Sequence, residues 1–107
     1  DRLPAHLEVA GLLRAVEAAG GFATVLRKGE RMGGAILVIL AENGANQRLF
    51  ERLAHLDGTR EWTCTKVQDT ENKAEFDEYL TRRGARDPDL WMIELDIANG
   101  ERFVVST

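Results

Sequence analysis

The chain has 107 residues, 44% hydrophobic and 30% charged, with only two prolines; this is the composition of one globular domain, expected to span 1–107. Its 14 basic and 18 acidic residues leave a formal charge of −4, which argues against the broad electropositive face of a nucleic-acid binder. The longest apolar run, Ala35 to Ala41, is far short of the roughly 20 residues that span a bilayer, and the start of the chain lacks a signal-peptide core. A cytoplasmic, non-membrane protein is therefore expected, with some residues missing upstream of Asp1 because the chain does not open on Met. The lone Cys64 excludes an intrachain disulfide and a Cys-rich zinc site, and its place in Trp62-Thr63-Cys64-Thr65 predicts a buried structural thiol.

Pro4 suits a first helical turn. Ala5, Val9, Leu12, Leu13, Val16 and Ala19 then recur at helical spacing up to Gly20-Gly21, which predicts a helix over Pro4 to Ala19. Phe22 to Arg27 reads as a short strand, and Gly29 to Gly34 as a mobile polar hairpin connection. Ala35-Ile36-Leu37-Val38-Ile39-Leu40 is apolar on both alternating faces, the mark of a central strand covered on two sides. Asn43-Gly44 and Asp57-Gly58 are hairpin-turn dipeptides that predict a three-stranded meander. Its middle member, Gln47 to Leu53, also fits a helical stripe, but turns on both sides favour a strand. The third member, Arg60 to Val67, is rich in strand-forming residues.

Asp69 or Thr70 is a candidate cap for a second helix, with Phe76, Tyr79, Leu80 and the stem of Arg83 as its apolar stripe, a Glu78–Arg82 pair outside, and Gly84 as its end. The alternation of Trp91, Ile93, Leu95 and Ile97 predicts another strand, which Asn99-Gly100 turns into a last one through Phe103, Val104 and Val105. The expected fold is α+β: a single, mostly antiparallel sheet with two helices, in the order α-β-β-β-β-α-β-β. Whether both helices share one face of the sheet is left open.

Arg2-Leu3-Pro4-Ala5 leading to Gly20-Gly21-Phe22-Ala23, and Arg86-Asp87-Pro88-Asp89-Leu90-Trp91 with the acidic strand Glu94-Leu95-Asp96, together form a fingerprint. On it the whole chain resembles the small bacterial proteins of domain-of-unknown-function family 1491. The resemblance implies a one-domain cytoplasmic protein of this length, and it brings no activity, cofactor or catalytic residue to transfer.

Dinucleotide, phosphate-loop and His-Glu-x-x-His signatures are all missing from the sequence. His6 and His55 are far apart and without evident carboxylate companions, so solvated or capping roles are expected. Glu94 and Asp96 alternate onto one face at about 7 Å spacing. With Asp89 they make a candidate Mg²⁺ site for a hydrolase, against the simpler reading of solvated acids on a strand and a turn. Arg82, Arg83, Arg86, Asp87, Asp89 and Trp91 concentrate at the helix-to-strand corner, where they form either an ion-pair brace or a recognition surface for a small anion, nucleotide or protein. On the first helix, Leu7, Gly11, Ala15 and Ala18 share a face turned away from the core stripe, a candidate interface whose expected partner is a second copy. A non-catalytic binding or assembly module without a cofactor is the leading reading; an anion sensor and a metal-dependent hydrolase are the alternatives.

Overall fold

The computed structural model describes residues 3–104. Its elements are α1 (Ala5–Ala18), β1 (Phe22–Arg27), β2 (Ile36–Glu42), β3 (Ala45–Ala54), β4 (Arg60–Val67), α2 (Lys73–Arg86), β5 (Trp91–Asp96) and a 3-10 turn, η1 (Gly100–Phe103). The five strands form one mixed sheet in the order β1-β5-β2-β3-β4. All neighbours are antiparallel except β2 and β5, which run parallel. The fold is α+β, and β2–β3–β4 is the expected meander.

Local chemistry accounts for the meander. Asn43 and Gly44 take φ of 53° and 76°, the left-handed pair that a two-residue hairpin needs. Asp57 accepts the Thr59 N–H at 3.0 Å and steadies the second turn. The ambiguous middle segment is a strand, with Leu49 and Phe50 buried on opposite faces.

The helices lie on opposite faces of the sheet. Ala5, Val9 and Val16 of α1 pack on Ile36, Val38, Leu40, Phe50, Trp91, Ile93 and Leu95. Phe76 and Leu80 of α2 pack on Leu37, Ile39, Leu49, Leu90 and Met92. Strand β2 supplies both sets, which is why it is apolar at every position from Ile36 to Ala41 and buried throughout.

Three expectations are corrected here. First, Phe103 and Val104 do not form a strand, and Val105 lies outside the described residues. Both edges of β5 are already taken, by β1 and β2, so a following hairpin strand has nothing to pair with. The chain instead turns through Asn99 at φ 56° into η1, and Val104 folds back into the core beside α1. Second, the Gly29 to Gly34 segment is not a hairpin connection, because β1 and β2 are separated by β5. It is a strap across the entry to β5. The Glu30 N–H donates to the Asp89 carbonyl (3.0 Å) and the Trp91 N–H to the Ala35 carbonyl (2.8 Å). The Glu30 carboxylate in turn accepts the N–H groups of Met32 (2.6 Å) and Gly33 (2.8 Å), which hold it below the ordinary carboxyl range. The carbonyls of Met32 and Arg31 cap α1 by accepting from Ala5 and His6. Third, Cys64 is exposed, not buried, since β4 is an edge strand. Helix α2 also begins later than expected, at Lys73, and the expected Glu78–Arg82 pair is not formed among the described residues.

Candidate functional site

The cationic corner legible in the sequence is divided by the sheet. Trp91 is buried on the α1 face, where its indole N–H donates to the Glu30 carbonyl at 2.7 Å. Arg83 lies on the α2 face and pairs with Glu51 of β3 at 2.9 Å while donating to the Tyr79 hydroxyl at 3.1 Å. Burial alone would raise the Glu51 carboxyl, but hydrogen bonds from Arg83 and Thr65 and the Arg83 charge outweigh it and hold the group below its usual range. The same contacts raise Arg83. Lys66 adds an ion pair to Glu75 (3.0 Å) and lies over the Tyr79 ring.

Arg82 and Arg86 stand exposed at the end of α2, and Asp87 accepts the Asp89 N–H at 3.1 Å within its own turn. Arg83 is therefore a brace between α2 and the sheet, while Arg82 and Arg86 are separated from Trp91 by the sheet itself. Arg83→Ala is expected to lower the melting temperature by several degrees, because about 1 kcal/mol moves a domain of this size by roughly 4–8 °C. Arg86→Ala should leave it within about 2 °C, as surface substitutions do; thermal melts of the two variants check the contrast. A folded-state carboxyl held low stabilises above its unfolded pKa and loses that contribution as pH falls through its folded pKa. Glu51→Gln should accordingly flatten the acid side of the stability–pH curve, measured by denaturant titration.

Glu94 and Asp96 do share the α2 face of β5, but each is engaged. Asp96 accepts the backbone N–H groups of Asn43 (2.7 Å) and Gly44 (2.8 Å), pinning the β2–β3 turn, and Glu94 accepts from Gln47 at 3.1 Å. Asp89 precedes the opposite end of the strand, so the three acids do not converge. Among the described residues no group of three His, Cys, Asp or Glu side chains is placed to hold a metal ion. His6 sits against the Arg31 carbonyl (3.0 Å), and His55, contrary to expectation, does have a carboxylate beside it, Glu61 at 3.7 Å.

Leu7, Gly11, Ala15 and Ala18 are together on the outward face of α1, all exposed, and a Cβ at Gly11 would meet nothing within 4 Å. The residues that sequence reasoning passed over are on β1. As an edge strand it exposes Phe22 (77%), Val25 (40%) and Leu26 (50%) and carries no charge from Phe22 to Leu26. The other edge, β4, bears Arg60, Glu61 and Lys66, the charged guard usual for an open strand. Beside β1, an open groove of about 350 Å³ runs along α2, with Leu26, Leu80 and Met92 as its apolar lining and Arg27, Asp77 and Thr81 as its polar lining. The guanidinium of Arg27 lies over buried Gly84, where an added Cβ would stand 3.2 Å away, and its Nε is buried with no hydrogen-bond partner among the described residues. A strand uncharged from Phe22 to Leu26, following Gly20-Gly21, was the signal in the sequence, and its meaning depends on β5 filling the other side.

The family described as "Protein of unknown function (DUF1491)" matches residues 3–105. The chain belongs to the DUF1491 family. It is similar to a DUF1491 family protein from Caulobacter crescentus CB15 whose crystal structure was solved at 1.87 Å resolution, with 35% identity, a TM-score of 0.82, and coverage of 96% of this chain and 95% of that one. The NMR structure of a DUF1491 family protein from the same organism aligns with 35% identity and a TM-score of 0.79, covering 95% and 92% of the two chains. The solution structure of a protein from A. tumefaciens aligns with 27% identity and a TM-score of 0.73, covering 97% and 93%. No curated protein matches the chain. No helix among the described residues of this DUF1491 protein is long and apolar enough to cross a membrane.

Proposed function

We propose that this protein is a binding or assembly module that acts through its surface rather than through bond chemistry. The observation that carries the reading is the contrast between its charged and apolar groups. The polar side chains that could have made a site (Arg83, Glu51, Glu94, Asp96, and the Trp91 indole N–H) are each engaged in holding one element to another. The unguarded strand edge with Phe22, Val25 and Leu26 is left facing solvent. We place the protein in the bacterial cytoplasm, where the exposed Cys64 thiol stays reduced.

Thermal melts with Mg²⁺, Mn²⁺ and a nucleotide panel test the reading. A ligand at 100 times its dissociation constant adds about 2.7 kcal/mol of stability, so a cofactor or nucleotide site would show as a rise of at least about 10 °C. The expected result is no rise with any of them. A rise that disappears in Arg82→Ala or Arg86→Ala would replace this reading with an anion sensor, and one lost in Glu94→Gln with metal chemistry.

A further inference from the structure

Resting on that reading, we infer that β1 pairs with β1 of a second copy of this chain across a twofold axis at Thr24, joining two five-stranded sheets into one. Three independent features of the edge fit a copy of itself.

The first is side-chain register. Val25 lies opposite Ile93, and Ala23 opposite Leu95, both on the α1 face; Phe22 lies opposite Asp96 on the α2 face. The register shift between Val25 and Arg27 makes Leu26 the extra residue of a bulge, and it lines the groove against Leu80 and Met92 on the α2 side. Antiparallel pairing about Thr24 sets Ala23 against Val25 on one face and Phe22 against Leu26 on the other. A small residue then meets a branched one, and the exposed Phe22 ring meets the Leu26, Leu80 and Met92 side of the groove. Shifting the register by one residue would set α1-side against α2-side positions, so this alignment is favoured by the pleat.

The second is charge. The same pairing lays Lys28 of one copy alongside the Ala19-Gly20-Gly21 end of α1 in the other, whereas the Arg27 side chain is held on the opposite face, over Gly84 of α2. Helix α1 has no basic residue in its last turn, which contains Glu17, and a helix C-terminus favours a nearby cation. Lys28 of the second copy supplies what the helix lacks.

The third is the flank of α1. Glu8 reaches Arg52 of β3 at 2.7 Å, so at 100° per residue the opposite flank, with Ala10, Arg14 and Glu17, looks toward the open edge of β1. Each copy thus offers one cation and one anion, Arg14 and Glu17, on the same flank as Ala10, and a twofold axis can set the cation of each copy toward the anion of the other.

The test joins sedimentation equilibrium to cross-linking in a Cys64→Ser background. Wild type should self-associate as concentration rises. Val25→Lys, which restores a guard charge at a half-exposed position, should keep its melting temperature and weaken association by about tenfold or more. Under mild oxidation Thr24→Cys should give a cross-linked dimer, whereas Gly11→Cys should not. Association that survives Val25→Lys, or cross-linking at Gly11→Cys in place of Thr24→Cys, would overturn the β1 pairing, move the interface to the outer face of α1 and leave the assembly reading standing. Wild type that stays monomeric, with no cross-link at Thr24→Cys, would overturn self-pairing altogether, and the ligand melts would then decide the wider reading by themselves.

Discussion

Val38→Asp is expected to yield no cooperatively folded protein. Val38 lies in the middle of β2, between Phe50 on β3 and Ile93 on β5, with α1 over its side chain and no exposed surface. A carboxylate there has no cation within the core to meet it, since no polar or charged residue is fully buried among the described residues. Burying an unpaired charge costs several kcal/mol even after the group takes up a proton, against a total stability of about 5–15 kcal/mol for a domain of this kind. Circular dichroism and a urea titration check it: a soluble variant with a single sharp transition would show that β2 is not the two-sided spine of the sheet.

Gly34→Ala should be nearly as damaging, although it adds a single methyl group. The new Cβ would stand 2.2 Å from the Asp89 carbonyl oxygen, and the clash is with backbone on both sides. The strap over β5 would have to lift, which loosens the Glu30 to Asp89 bond and the carbonyls of Arg31 and Met32 that cap α1. Overpacking and lost caps together amount to about 2–4 kcal/mol, a fall in melting temperature of at least about 10 °C. Gly33→Ala, one residue earlier, meets nothing within 4 Å and should melt within about 2 °C of wild type. Equal melting of the two variants would mean that the strap does not clamp the entry to β5.

What could be read from the sequence was what neighbours along the chain decide. The Asn43-Gly44 turn, the doubly apolar run of β2 and the stripe of α1 each carry their own explanation within a few residues, and all three are in the fold as expected. Strand β1 could be seen as a strand, but not as an edge. That property is conferred by β5, which arrives from the far end of the chain to fill the gap between β1 and β2. The same insertion explains why Phe103 and Val104 found no partner, and why Gly29 and Gly34 serve a close approach to the backbone before β5. At the arginine corner, sequence proximity misled. Alternation on β5 sends Trp91 to one face of the sheet, while α2 carries the arginines on the other, and the true partner of Arg83 is Glu51 on a strand nothing in the local sequence connects to it. The acidic face of β5 was placed correctly as a face. Its engagement with the Asn43-Gly44 turn and with Gln47 required knowing that β2 lies next to it and β3 one strand beyond.

Amide hydrogen exchange in β1, followed as protein concentration is raised, tests most directly whether this open edge is the working surface of the molecule. In an isolated chain the outward amides of Phe22 to Leu26 face water and exchange quickly; in a paired edge they are hydrogen-bonded and protected. Protection should grow with concentration along β1, while the outward amides of β4, the guarded edge, stay unchanged and Val25→Lys abolishes the effect. Exchange in β1 that does not depend on concentration, or protection that develops on the outer face of α1 instead, would contradict the account.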